Sequence, residues 1–198
     1  MTGAARSSSG FVALARRVDS VTPWTEGHSA RVAAVAAEVV RAAGWPSAEV
    51  ARLACVAELH DVGKICVGEE VLACPGTLPP EARAELALHP VLGAGMLATV
   101  LATDEVAWVR HHHERWDGGG YPDGLRADEI PAGASILALA ESWDAMTRGC
   151  SGAPLSPLEA LAECRRVSGA QFAPWAVEAL LVTSVVLSGR VDGQTLRF

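Results

Sequence analysis

The chain has 198 residues, 50% of them hydrophobic and 20% charged, which is globular composition and enough length for one substantial core but not for two ordinary domains. Sixteen Lys and Arg against 23 Asp and Glu leave a formal charge of −7, with no basic stretch to track a nucleic-acid backbone, so polymeric DNA or RNA is excluded as the expected partner. The opening MTGAARSSSG lacks the apolar core of a signal peptide, and no run of about 18 apolar residues could span a bilayer, which points to no membrane and a cytoplasmic location.

Helical periodicity dominates and strand alternation is almost absent, so the expected fold class is all-α: a bundle of about seven helices with one long loop. Residues 1–20 are expected to be a disordered or frayed start, 21–190 the folded domain and 191–198 a tail. The first predicted helix, 26–43, carries Val32, Val35, Ala36 and Val39 on one stripe, holds His28 in its first turn and stops at Gly44. Ser47 caps the next, whose buried face of Val50, Leu53, Ala54 and Ala57 runs on until Gly63 closes it, leaving His60 and Asp61 at a helix C-terminal end. After a break at Leu78 to Pro80 comes a short helix, 81–87. His89-Pro90 opens another, with Val91, Leu92, Met96 and Leu97 as its apolar face, and 104–113 ends in the triplet His111-His112-His113. The loop from Glu114 to Pro131 contains WDGGGYPDG and is long for a compact domain, which marks function or mobility. Helices over 132–147, 156–167 and 174–187 complete the chain. The five cysteines form no CxxC pair and read as reduced thiols, mostly small core residues.

An Asp set against a segment as apolar as Leu53 to Leu59 needs a compensating partner, and a metal ion supplies one. Carboxylate oxygen with imidazole nitrogen suits iron, manganese or zinc, and an Asp can bridge two ions through its two oxygens. His28, the His60-Asp61 pair, His89, the His112-His113 pair and Glu141 follow one another at intervals of about 20 to 30 residues, room for a helix, a turn and a return, so an antiparallel bundle can bring them to one level. Lys64 is either a cation beside such a site or a helix-end charge answering the dipole. Gly118, Gly119, Gly120 and Gly124 let backbone amides approach a substrate or fold the loop back onto the site, and Tyr121 either contacts substrate or packs in the loop. Lys64, Gly120 and Tyr121 are the candidate substrate-binding residues, and Trp116 is expected to anchor the loop.

The motifs HSARVA (His28 to Ala33), LHDVGK (Leu59 to Lys64), His89-Pro90, HHERWDGGGYP (His112 to Pro122) and IPAGASILALAESWDAM (Ile130 to Met146) together resemble the HD-GYP family, a branch of the HD superfamily of metal-dependent phosphohydrolases. The resemblance implies an HD-domain-like helical bundle and a phosphodiesterase hydrolysing cyclic di-GMP or a related cyclic dinucleotide through a metal-activated hydroxide. It implies two divalent metal ions, iron or manganese foremost, with zinc, magnesium, nickel and cobalt as alternatives. By the same resemblance His28, His60 and Asp61 match the ligands of one ion, with Asp61 bridging, and His89, His112 and His113 those of the second. Asp61 and Lys64 are the implied catalytic residues. Trp24 stands where trinuclear members carry a Glu ligand, and His111 falls one place before the matched pair.

Four departures accompany the matches. Glu141 replaces the first Asp of the family's DxxDA motif, whose second Asp is Asp144; the RPYR after Met146 is replaced by TRGCSGAP (Thr147 to Pro154), with Arg148, displaced, as its only cation; FDP has become Phe172-Ala173-Pro174; and Cys74 stands for a lysine. The alternative function is therefore a catalytically weak or inactive module that binds metal or nucleotide and acts as a sensor or scaffold. Expected partners are the cyclic dinucleotide and a second copy of the chain or a regulatory protein, since no receiver or sensory module is present.

Overall fold

The computed structural model describes residues 3–21, 25–74, 78–149 and 152–191. Among the described residues ten α-helices follow in chain order: α1 Gly3–Asp19, α2 His28–Ala42, α3 Ser47–Leu59, α4 Glu69–Leu72, α5 Pro80–Leu86, α6 His89–Leu97, α7 Thr103–His111, α8 Ala132–Arg148, α9 Pro157–Arg166 and α10 Pro174–Val191. Two 3-10 turns join them, Val62–Cys66 after α3 and Ala127–Glu129 in the long loop. No strand is present among the described residues. The all-α bundle is as expected; α1 and the single-turn α4 are the helices that periodicity did not reveal.

The stripe read on α2 explains the centre of the bundle. Val32, Ala36 and Val39 are fully buried against α3 and α8, where Leu53, Val56, Ile136, Leu137 and Leu139 also lose all exposure. Each such aliphatic side chain contributes about 1.5–3 kcal/mol relative to staying in water. The helix α9 begins at a capping box in which Ser156 Oγ accepts from Glu159 N while Glu159 reaches back to Ser156 N. The helix α10 packs across α9 and α2.

Several expectations are corrected. Residues 3–19 form α1 rather than a disordered start: Phe11, Val12, Leu14, Ala15 and Val18 recur at helical spacing, and Ala15 and Val18 are buried in the bundle. On α6 the buried face is His89, Pro90, Gly93, Ala94 and Leu97, whereas Leu92 is 38% exposed. That small-residue face lets the 3-10 turn Val62–Cys66 come close, and it explains Gly63, at which a Cβ would collide with the carbonyl of His89 and the backbone of Gly93. Gly63 is thus a close-approach residue and not a helix stop, and at the other end of α3 Pro46, not Ser47, is the N-cap, with Ser47 the first helical residue. Of the described cysteines only Cys164 is a core residue, while Cys55 and Cys66 are exposed, Cys74 is half-buried, and all four are free thiols. Cys150, Trp24 and the tail from residue 192 onward lie outside the described residues.

Candidate metal centre

Six imidazole and carboxylate groups reach one point in the bundle because each sits at the end of an element. His28 is the first residue of α2, His60 follows the last turn of α3, Asp61 precedes the 3-10 turn, His89 opens α6, and His112 and His113 follow α7. Glu141 comes from the middle of α8. Helix ends keep such side chains off the helix barrel and let four elements point at one another.

The ligand atoms fall into two groups, His28 with His60, Asp61 and Glu141, and His89 with His112 and His113; within each group they lie within 4.8 Å of one another. Asp61 stands between them. Its Oδ2 is 3.8 Å from His28 Nε2 and 3.5 Å from His60 Nε2, and its Oδ1 is 3.1 Å from His89 Nε2. Glu141 Oε2 is 3.7 Å from His113 Nδ1 and so also faces the second group.

The outward-facing ring nitrogens determine what the inward-facing ones can do. His60 Nδ1 donates to Ala57 O at 2.7 Å, His89 Nδ1 to Leu86 O at 2.7 Å and His112 Nδ1 to Val109 O at 2.6 Å. A carbonyl can only accept, so each Nδ1 carries the proton and, in the neutral ring, each Nε2 presents a lone pair. His89 Nε2 and His112 Nε2 then face each other at 3.2 Å as two acceptors. Buried His60 Nε2 and Asp61 Oδ1 have no hydrogen-bond partner, the short approach of His89 to Asp61 included, because two acceptors make no bond. Converging unprotonated nitrogens and an orphaned carboxylate oxygen fit divalent cations.

Electrostatics agree. Burial alone would raise the Asp61 carboxyl, but the Lys64 ammonium holds it well below the usual carboxylate range. Burial and then His113 push the His112 imidazole well below its ordinary value; burial and then His89 do the same to His113. Burial would lower the Lys64 ammonium, yet Asp61 and Glu141 raise it, and its Nζ donates to Asp61 Oδ2 at 2.5 Å.

Asp144, matched to the family motif in the sequence but given no role there, forms an outer layer with Arg31. Asp144 is buried on α8 one turn beyond Glu141, accepts from His28 Nδ1 at 2.7 Å, and takes a two-pronged bond from Arg31 at 2.6 and 3.0 Å. Burial would raise the Asp144 carboxyl, but His28 and Arg31 lower it. Burial would lower His28, but the Asp144 bond and Asp61 raise it. The available signals were the motif match of Asp144 and the spacing of His28 and Arg31 on one face of α2.

The glycine loop closes the site. Glu114 Oε1 accepts from Asp123 N at 2.7 Å and Gly124 N at 3.0 Å, while Asp123 is clasped by Arg110 and by His111 Nε2 at 2.9 Å. His111 therefore holds the loop and faces away from the ligand groups. Gly120 lies against the backbone of His113, Glu114 and Arg115, where no Cβ fits, and Tyr121 stacks on His113 with ring centroids 4.9 Å apart. Trp116 is half-buried against the core and fastens the loop to Gln171 O. Beside His113 and Glu141 an open cleft of about 160 Å³ is lined by Arg115, Ser142, Gln171 and Phe172. A larger cavity of about 440 Å³ between α1 and the start of α2 contains none of the ligand groups.

Residues 13–174 match the family model described as HD domain. A cyclic di-GMP phosphodiesterase of Thermotoga maritima is 36% identical over 163 residues, covering 79% of this chain and 44% of its own length. A cyclic di-GMP phosphodiesterase response regulator of Xanthomonas campestris is 34% identical over 173 residues, 85% of this chain and 46% of its own length. The chain thus spans less than half the length of these curated relatives. Among solved structures, a cyclic GMP-AMP specific phosphodiesterase of Vibrio cholerae superposes with a TM-score of 0.72 at 18% identity, over 92% of this chain and 49% of that one, a likeness of fold. No helix among the described residues is long and apolar enough to cross a membrane.

Proposed function

This chain belongs to the HD-domain family, in its HD-GYP branch, and from that premise we propose that it is a metal-dependent phosphodiesterase hydrolysing cyclic di-GMP or a related cyclic dinucleotide in the cytoplasm. The observation that carries the reading is Asp61, whose two oxygens face two histidine groups with inward lone pairs. His28, His60, Asp61 and Glu141 would hold one divalent cation and His89, His112 and His113 a second, Asp61 serving both. Iron and manganese suit this mixed nitrogen and oxygen set, with zinc, magnesium, nickel and cobalt as alternatives. Bound there, such cations supply Lewis acidity, activating water and neutralising charge on the phosphodiester oxygens.

The chain's own groups do the rest. The carbonyls of Ala57, Leu86 and Val109 fix the tautomer and orientation of three imidazoles, and Asp144 does so for His28. Lys64, kept charged by Asp61 and Glu141, places an ammonium where phosphodiester oxygens gather negative charge. Tyr121, stacked on His113, shields that ring from water, and Gly120 seats the loop closely enough to allow it.

Elemental analysis and nucleotide chromatography of the purified protein test the proposal together. The expected result is two equivalents of iron or manganese and a linear dinucleotide or mononucleotide product from cyclic di-GMP, with both lost in Asp61→Ala. Bound metal without product from any cyclic dinucleotide would overturn the enzymatic reading.

A further inference from the structure

At the rim of the cleft beside His113, one cation is held in a fixed pose. Arg115 donates from Nε to Asp117 Oδ1 at 3.1 Å and from Nη2 to Asp117 Oδ2 at 2.7 Å. The backbone beneath is pinned as well, because Trp116 N donates to Gln171 O and Asp117 N to Ala170 O, and Asp117 Oδ1 also accepts from Gly119 N. The carboxylate occupies the side of the guanidinium formed by Nε and Nη2. The end of the fork, with parallel N–H groups on Nη1 and Nη2, has no partner among the described residues, and both side chains remain 37% exposed. A surface pair that only stabilised the fold would contribute less than about 1 kcal/mol.

Resting on the phosphodiesterase reading, we propose that Arg115, oriented by Asp117, is the specificity residue that reads a guanine of the substrate at the far end of this cleft. Guanine offers two acceptors, O6 and N7, at the spacing of a guanidinium fork, whereas adenine puts an N6 donor in place of O6. A phosphate would also accept from the fork, but Asp117 cancels the charge that phosphate binding uses. The cleft joins Arg115 to His113 and Glu141, so a base seated on the fork leaves its phosphodiester toward the ligand groups. Arg115 would then supply a base contact in a chain whose stretch after Met146 keeps a single cation, Arg148, in place of the family's RPYR.

The test compares cyclic di-GMP, cyclic di-AMP and bis(p-nitrophenyl) phosphate, with KM, kcat and calorimetric Kd measured on the metal-loaded full chain. Wild-type protein should prefer cyclic di-GMP, and Arg115→Ala should raise its KM and Kd on the order of tenfold or more with kcat held within about twofold. Cleavage of bis(p-nitrophenyl) phosphate, which has no base edge to read, should not change. Arg115→Lys, which keeps the charge and loses the fork, should not rescue. Asp117→Asn retains the acceptor for Gly119 N; it should weaken cyclic di-GMP binding if a guanine is read and tighten it if a phosphate is. Tighter binding in Asp117→Asn, an equal loss for both dinucleotides in Arg115→Ala, or an unchanged KM would each overturn the inference while leaving the phosphodiesterase reading intact. A wild-type protein that binds and cleaves neither dinucleotide overturns both.

Discussion

Replacing Asp144 with Ala tests whether the outer layer positions the candidate metal ligands. The carboxylate is 3% exposed and accepts three bonds, one from His28 Nδ1 and two from Arg31. Removing one partner of a buried charge pair costs about 3–5 kcal/mol, because the other charge is left behind. Arg31 is 29% exposed along its side chain and recovers part of its hydration, so the lower half of that range is expected, about 3–4 kcal/mol. At roughly 2–4 °C per kcal/mol for a chain of this size, Tm should fall by about 6–16 °C. His28, freed to rotate, should also bind metal more weakly, by roughly ten- to a hundredfold. Differential scanning calorimetry of the metal-free protein and manganese titration of the folded protein measure the two effects separately. Asp144→Asn keeps one oxygen for His28 and should recover most of the metal affinity while remaining less stable than wild type. A Tm within about 2 °C of wild type would refute the buried pair. A large fall in Tm with an unchanged manganese Kd would refute the positioning of His28.

Leu137→Ala removes a fully buried side chain from α8 and should cost about 2–5 kcal/mol in denaturant titration, with the stoichiometry of bound manganese unchanged. Gly120→Ala puts a Cβ into the backbone of residues 113–115, and the resulting shift of the loop should lower stability by about 1–3 kcal/mol and break the Tyr121–His113 stack, measurable as increased tyrosine exposure. Low pH should open the rim of the loop. The Arg115 bond holds the Asp117 carboxyl down to about 2, and the Arg110 bond, with that of His111, holds Asp123 below the usual range. Both folded values are depressed, so their stabilisation is complete above the unfolded value of about 4 and disappears as pH falls from there toward 2. Protection of the amides of residues 115–124, measured relative to the intrinsic exchange rate at each pH, should therefore fall in that window and not between pH 5 and 7.

Fold class and the side chains that gather at the candidate centre were legible in the sequence because both are locally encoded. A helix repeats its buried positions every three or four residues, so Val32, Ala36 and Val39 identify the core face of α2 without reference to the rest of the chain. Histidine and aspartate at helix starts and stops are likewise visible, as is the glycine block. The start of the chain was misread because polar, small residues hide the spacing of Leu14, Ala15 and Val18, whose burial depends on helices that come later. The face of α6 was misread because its burial follows from close approach by the turn at Gly63, which favours small residues over the larger Leu92.

What sequence alone determined, then, is which groups are available and which helices carry them. Only the tertiary structure decided how they are used. The bond from His28 to Asp144 spans 116 positions, and the approach of His89 to His112 joins two helices through side chains that no local period relates. Asp61 acquires a place between two histidine groups, and Arg115 a fixed fork, only when separate segments meet. Hydrophobic periodicity is a property of neighbours along a helix, whereas the orientation of a lone pair depends on the partner that takes the opposite proton, and in this bundle that partner is set by packing.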